Sequence, residues 1–206
     1  MNVTVSDVLG SLFNPTDTVC FRVFDDKKDG IFQGAKLSCE CGKYKSIEET
    51  LKNHNAMNRG IFFVVNYGGQ DDASITRINA QFVEMDNDSF EDQQKKINAF
   101  PLPPSMIMKT QKSYHVYWFM DSSAKVERFR TIQTQLVKQF DGDPMCVNES
   151  RVAEFISAFQ THLRCTYGVI NGSLNNNALR ICHRRLKGDV VRYLHNCCVH
   201  KKRRQK

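Results

Sequence analysis

Residues 61–67 (IFFVVNY) form an apolar run of strand length that begins directly after Gly60. A strand with one face in water alternates polar and apolar residues, whereas a nearly unbroken apolar run is typical of a strand buried on both faces. The run therefore predicts a central strand in a sheet that is covered on both sides. The chain has 206 residues, of which 41% are hydrophobic, and this is enough to bury such a sheet in one domain.

Further strands and helices are predicted on either side of this run. The strands are residues 18–24, 79–86, 105–110 and 113–120, and the last two are close enough to form a hairpin. The helices are residues 46–58, 89–99, 124–140 and 152–163. Ser46 and Glu49 have the spacing of a capping box, and Gly142 is expected to end the third helix. This order of elements predicts an α+β fold in which helices pack on a mixed sheet.

The charge of the chain is distributed unevenly. Residues 151–206 carry 12 Lys and Arg against two Asp and Glu, a net charge of +10, so the rest of the chain carries −3 of the total +7. We expect a domain over residues 1–151 followed by an atypical basic helix and tail over residues 152–206. Clustered basic residues favour a polyanionic partner, most simply nucleic acid, although a solubilising tail has the same composition.

The chain has eight dispersed cysteines and no apolar segment long enough to span a bilayer. Its first residues lack the basic start and apolar run of a signal peptide, so we expect a cytoplasmic protein with free thiols and no membrane partner. Cys39 and Cys41 invite a zinc interpretation, but they lack the usual Cys-x-x-Cys spacing and an obvious second pair.

Two carboxylates end the strand predicted over residues 79–86. Side chains alternate along a strand, so Glu84 and Asp86 are expected to project in the same direction and to repel each other. A cation between them would stabilise the pair, and oxygen ligands of this kind suit Mg²⁺ or Mn²⁺. The alternative is that both carboxylates are simply solvated at the end of the strand.

Phosphate-binding groups follow along the chain. Ser113 and His115 share one face at the start of their strand, and Lys109 and Lys112 lie nearby in sequence. Asp143, after the third helix, offers another carboxylate, and Arg151 could bind a phosphate through two hydrogen bonds. Carboxylates for a metal together with His, Lys and Arg for a triphosphate are the groups that phosphoryl or nucleotidyl transfer requires.

These residues fall in motifs that resemble those of a known family. The motifs are residues 51–55 with 59–66, 80–86, 104–105 with 109–118, 140–144, and 148–152. In order and spacing they resemble the RepB-like primase-polymerases of phages and plasmids, which belong to the archaeo-eukaryotic primase superfamily. The resemblance covers residues 19–152.

The resemblance implies an RRM-like catalytic core that makes or extends primers on a single-stranded DNA template from nucleoside triphosphates. Glu84 and Asp86 match the acidic pair of the family, with Glu84 where Asp is usual, and Asp143 matches its third acidic position. These three are the expected ligands of Mg²⁺ or Mn²⁺ and, with His115, the expected catalytic residues. The expected nucleotide-binding residues are Lys109, Lys112, Ser113, His115 and Arg151.

The family pattern stops after Arg151. Relatives continue with a second arginine and a Leu-Pro-Gly turn, whereas this chain continues with VAEFIS. A frameshifted, recombined or truncated gene would explain this change. Two functions are therefore considered. The first is an active primase-polymerase, for which a replicative helicase is a possible partner. The second is a non-catalytic RRM-like remnant that binds nucleic acid. A rolling-circle nicking protein would need paired histidines, and the chain has no His-x-His.

Overall fold

The structure is a computed structural model that describes residues 5–25, 36–110, 113–154 and 180–181. Its helices are α1 (Val5–Leu12), α2 (Tyr44–Ala56), α3 (Phe90–Ala99) and α4 (Val126–Phe140). Its strands are β1 (Val19–Asp25), β2 (Lys36–Gly42), β3 (Arg59–Val64), β4 (Ala80–Met85), β5 (Met106–Lys109), β6 (Tyr114–Phe119), β7 (Val152–Glu154) and β8 (Arg180–Ile181).

The described strands form two four-stranded sheets, in the orders β2-β1-β3-β7 and β4-β6-β5-β8. Within each sheet, all neighbouring described strands pair antiparallel. The α+β class is therefore confirmed, but two antiparallel sheets replace the single mixed sheet that was expected. Buried residues from both sheets belong to one hydrophobic core, to which α1 and α4 also contribute. No helix in the described ranges is long and apolar enough to cross a membrane.

The apolar run that begins at Ile61 is in the middle of its sheet, as predicted, because β3 pairs with β1 on one side and β7 on the other. The predicted helix starting at Val152 is wrong in its first residues. Val152 and Ala153 pair instead with Val64 and Phe63 of β3. The free backbone groups along the edge of β3 favour an extended partner there, and apolar spacing alone cannot reveal such a partner. Residues 155–163 of the predicted helix lie outside the described residues.

Two helix ends also differ from the prediction. Ser46 does not cap α2, which begins two residues earlier; its hydroxyl donates to the Lys43 carbonyl oxygen at 2.7 Å. Packing of the Tyr44 ring against Phe21 extends the helix at this end. At the end of α4, the left-handed residue is Asp141, with φ of 54°, rather than Gly142. Helix α1 and strand β2 were not predicted.

Helix α4 covers the free edge of β4, and one side chain completes that edge. Gln133 is fully buried, and its amide accepts from the Phe82 N–H at 3.2 Å and donates to the Phe82 carbonyl oxygen. The side chain therefore supplies the two hydrogen bonds that a neighbouring strand would otherwise make. This fixes α4 on the strand that carries Glu84.

Replacing Gln133 by leucine is expected to lower the free energy of unfolding by about 2–4 kcal/mol, because it leaves two buried backbone groups without partners. Chemical denaturation followed by circular dichroism measures this change. Gln139→Leu is the matched control, since Gln139 is half-buried on the same helix and lies six residues beyond Gln133. A loss below about 0.5 kcal/mol in Gln133→Leu would mean that the two hydrogen bonds contribute little.

Candidate active site

The site is centred on a cross-strand pair. Glu84, the second-last residue of β4, is directly opposite His115 of β6 in the antiparallel register, so both side chains point to the same face. Glu84 Oε1 lies 3.8 Å from His115 Nδ1. His115 is only 5% exposed, and neither of these two atoms has a hydrogen-bond partner in the described part of the chain. The pair therefore presents unused polar atoms inside the protein.

A close backbone approach after α4 brings a second carboxylate to this pair. With Asp141 in the left-handed conformation, the Gly142 N–H donates to the Val137 carbonyl oxygen at 2.9 Å. The Asp143 N–H donates to the Glu84 carbonyl oxygen at 2.9 Å. A Cβ atom on Gly142 would lie 2.7 Å from that same oxygen, so glycine is needed at this position for the loop to dock on β4.

The Asp143 carboxylate accepts hydrogen bonds from three donors among the described residues. Its Oδ1 accepts from the Met145 N–H at 2.8 Å, and its Oδ2 accepts from Arg151 Nη2 at 2.7 Å. The Cys146 thiol donates to Oδ2 at 3.6 Å. Ligand atoms of Glu84, Asp143 and Cys146 all lie within 4.8 Å of one another. Two carboxylates and a thiol thus share one small volume beside the guanidinium of Arg151.

The segment before Arg151 is attached to the end of β3 and to the loop that follows it. The Val65 N–H donates to the Arg151 carbonyl oxygen at 3.3 Å. Asp72 Oδ1 accepts from both the backbone N–H and the hydroxyl of Ser150, at 3.0 and 2.7 Å. Arg22 Nη2 of β1 donates to the Ser150 carbonyl oxygen at 3.2 Å. Arg151 is therefore positioned by contacts with three separate parts of the chain.

Burial dominates the electrostatics of this site. It raises the pKa of Glu84 to about 7; Arg151 opposes this effect, while Asp143 and Asp86 add to it. Burial also lowers the pKa of His115 to about 4, so its imidazole is neutral at physiological pH. Burial likewise raises the pKa of the Cys146 thiol. Burial lowers the pKa of Arg151, but the nearby Cys146, Glu84 and Asp143 reverse this, and the net pKa is raised.

These residues fit a divalent cation. A buried carboxylate needs a compensating charge, and Glu84 Oε1 has no hydrogen-bond partner in the described residues. Asp143, the nearest other carboxylate, adds negative charge rather than compensating it. A cation held between Glu84 and Asp143 would relieve this repulsion, and carboxylate oxygens are suitable ligands for Mg²⁺ and Mn²⁺.

The other predicted site residues lie outside this group of ligand atoms or outside the described residues. Asp86 is exposed just beyond the end of β4 and lies outside the group of ligand atoms formed by Glu84, Asp143 and Cys146. Ser113 is buried in the turn between β5 and β6, where its hydroxyl lies 3.0 Å from Thr110 Oγ1. Lys109 Nζ lies 4.4 Å from the centre of the Phe90 ring. Lys112 lies outside the described residues.

Sequence reasoning missed three residues around the site. Cys146 could have been found from the sequence, because it follows Asp143 by three residues, a spacing that a single turn brings together. No sequence pattern pointed to Asp72 or Arg22. Asp72 contacts Ser150 across 78 positions of sequence and Arg22 contacts it across 128. Only the folded chain brings such distant residues together.

Asp72 is expected to act as a positioning residue. Asp72→Ala removes the acceptor of the Ser150 N–H and hydroxyl and should loosen Arg151. For the nucleotidyl transfer that the sequence resemblance implies, we expect kcat/KM for nucleotide incorporation to fall about tenfold. Steady-state kinetics should show the loss mainly in KM for the nucleotide, with little change in melting temperature. Asp71→Ala is the control, because Asp71 only caps the adjacent short turn. An equal loss in both variants would contradict a specific role for Asp72.

Comparison with solved structures identifies the fold. The primase-polymerase AEP domain of cyanophage S-2L matches with a TM-score of 0.62 and 25% identity, covering 73% of this chain and 79% of that domain. The catalytic domain of primase RepB′ in complex with initiator DNA matches with a TM-score of 0.55 and 14% identity, covering 99% of this chain and 100% of that chain.

A further structure of primase RepB′ matches with a TM-score of 0.54 and 14% identity. The match covers 98% of this chain and 65% of that longer chain. No family profile and no curated protein sequence matches the chain. The cyanophage primase-polymerase domain and primase RepB′ thus share its arrangement of strands and helices. The chain has the catalytic-domain fold of the RepB-like primase-polymerases of the archaeo-eukaryotic primase superfamily.

Proposed function

We propose that the protein is a metal-dependent nucleotidyltransferase that makes or extends primers on a single-stranded DNA template. The observation that carries this proposal is the meeting of Glu84, Asp143 and Arg151 at one end of β4, on a primase-polymerase fold. The structure of RepB′ with initiator DNA supports DNA as the polymer that is bound. In this proposal residues 1–151 supply most of the catalytic domain, and the basic segment over residues 152–206 contributes β7 and β8 to its two sheets.

The proposed metal ligands are Glu84, Asp143 and Asp86. The first two already share a small volume, and Asp86 lies close enough to raise the pKa of Glu84. Mg²⁺ or Mn²⁺ at these carboxylates would activate the primer hydroxyl and neutralise charge on the leaving pyrophosphate. Asp86 is exposed, so its carboxylate is accessible from solvent.

The proposed nucleotide ligands are basic or hydroxyl side chains around the same end of the sheet. Arg151 is partly exposed and donates to Asp143 through Nη2, so other N–H groups of its guanidinium remain for a phosphate oxygen. His115 is neutral and can donate one hydrogen bond without adding charge beside Glu84. Lys109 is the last residue of β5, and Ser113 directly precedes β6. We propose that both contact the outer phosphates, together with Lys112, which lies outside the described residues.

Template-dependent incorporation of labelled nucleotides by the purified full chain tests this proposal. We expect products with Mg²⁺ or Mn²⁺ on single-stranded DNA, and none when a chelator is added or the template is omitted. Parallel reactions with ribonucleotides and deoxynucleotides would define the substrate, and a pre-annealed primer would separate extension from initiation.

The principal alternative is a non-catalytic protein that binds nucleic acid. The sequence departs from the family motif immediately after Arg151, where β7 begins. This departure is the observation that favours the alternative, because the missing residues belong to the last motif of the family. DNA binding with no incorporation under any of these conditions would support it and overturn the proposed activity. Tyr114 and Trp118 are both buried, so they would not supply a stacking surface for bases in such a remnant.

A further inference from the structure

Cys146 is a buried thiol inside the proposed metal centre, and neither the sequence motifs nor the proposed reaction uses it. It has no solvent-exposed surface. Its N–H donates to the Asp143 carbonyl oxygen at 3.0 Å, and this turn directs the thiol back to the Asp143 carboxylate, 3.6 Å from Oδ2. A serine or alanine could occupy the same turn, so the turn itself does not require sulfur.

The donor atoms around Cys146 form a mixed set. Glu84 and Asp143 each offer a carboxylate oxygen within 4.8 Å of the Cys146 sulfur. His115 Nδ1 lies 3.8 Å from Glu84 Oε1, and it is an unpartnered nitrogen on a ring that is only 5% exposed. One sulfur and two oxygen donors therefore converge within a space of metal-site dimensions. The unpartnered imidazole nitrogen lies beside one of these oxygens, outside the group itself.

The chemistry of these donors distinguishes between metals. Mg²⁺ prefers six oxygen ligands and retains several waters, so a thiol and an imidazole in its ligand set are unfavourable. Zn²⁺ and its analogues accept sulfur, nitrogen and oxygen donors together, commonly with four ligands. A catalytic centre built for Mg²⁺ alone would gain nothing from a thiol in the position of Cys146.

We propose that Cys146 makes this centre a mixed sulfur and oxygen site that binds a thiophilic divalent cation of the Zn²⁺ class more tightly than Mg²⁺. The inference rests on the proposed function only in placing a metal at Glu84 and Asp143. On binding, the S–H bond of Cys146 breaks, a sulfur–metal bond forms, and the proton leaves to solvent. Glu84 and Asp143 complete the site as oxygen ligands, and the neighbouring unpartnered nitrogen of His115 lies on the Glu84 side of it.

Cadmium binding to the metal-free full chain tests this inference, because a cadmium–thiolate bond has a charge-transfer absorption in the ultraviolet. The chain has eight cysteines, so the decisive variant is one that keeps all of them. Glu84→Gln is expected to remove part of the absorption although it removes no thiol, and Cys146→Ser should remove the same part. Cys41→Ser, on exposed strand β2, is the control and should leave the Glu84-dependent part unchanged.

The dissociation constants for Zn²⁺ and Mg²⁺ provide a second readout, measured by competition with a metal-binding dye. Cys146→Ser should weaken Zn²⁺ binding about 10- to 100-fold while changing Mg²⁺ binding less than about twofold. An absorption that is identical in wild type and Glu84→Gln, or unchanged Zn²⁺ affinity in Cys146→Ser, would overturn the inference.

The incorporation assay separates this inference from the proposed function. Nucleotide incorporation by the wild type with Mg²⁺, combined with cadmium absorption independent of Glu84, would refute the mixed site and leave the proposed function intact. The reverse result, Glu84-dependent absorption without any incorporation, would support the mixed site and refute the nucleotidyltransferase.

Discussion

Glu84→Gln is expected to reduce template-dependent nucleotide incorporation about 1,000-fold or more. The carboxylate is the buried ligand of the proposed metal centre, and losing several kcal/mol of charge stabilisation in the transition state corresponds to a loss of that size. The amide has nearly the same shape, so the effect isolates charge from packing. Single-turnover incorporation with Mg²⁺ or Mn²⁺ measures it, and Glu127→Gln on the exposed face of α4 is the matched control.

Although Glu84→Gln should lose activity, its free energy of unfolding in the absence of metal should be equal to that of the wild type or higher. Burial raises the pKa of Glu84 from 4.5 to about 7, so ionising this group opposes folding at neutral pH. The wild type therefore loses stability as the pH rises from 4.5 towards about 7, whereas Glu84→Gln has no such loss. In metal-free buffer at neutral pH the variant should unfold at an equal or higher denaturant concentration than the wild type.

These two measurements together separate a catalytic role from a structural one. An inactive variant that is at least as stable as the wild type has lost chemistry rather than its fold. Near-normal incorporation by Glu84→Gln would contradict the proposed metal ligand, and marked destabilisation without metal would contradict the electrostatic account of this carboxylate.

The sequence could predict the strands that hold the site because their residues follow simple rules. The apolar run from Ile61 predicted a central strand, and the spacing of residues 105–120 predicted the β5–β6 hairpin. Alternation along β6 also placed His115 and Ser113 on one face. The pairing of His115 with Glu84, however, depends on the register between β4 and β6, which involves residues 31 positions apart in the chain.

The rest of the site depends on contacts that no local pattern encodes. Gly142 was expected to end a helix, whereas its actual constraint is the approach of its backbone to the Glu84 carbonyl oxygen. Strand β7 forms because the edge of β3 needs a partner, although Val152 and Ala153 also fit the start of a helix. Both errors have the same cause: tertiary hydrogen bonds decided the local conformation.

Arg151→Ala is expected to lower kcat/KM for the incoming nucleotide about 10- to 100-fold. A hydrogen bond from a charged group to phosphate contributes about 1.5–3 kcal/mol, and the partly exposed guanidinium of Arg151 has further N–H donors besides the Nη2 that contacts Asp143. The loss should appear mainly as a higher KM, because the guanidinium would bind the triphosphate in both the ground state and the transition state.

Arg151→Lys tests the geometry of that contact. Lysine keeps the positive charge beside Asp143 but lacks the planar fork of donors, so it should recover only part of the affinity lost in Arg151→Ala. Arg128→Ala, an exposed arginine on α4, is the matched control and should leave KM unchanged. Full recovery by lysine would show that charge alone is required. An unchanged KM in Arg151→Ala would remove this residue from the nucleotide site and leave its ion pair with Asp143 as a purely structural contact.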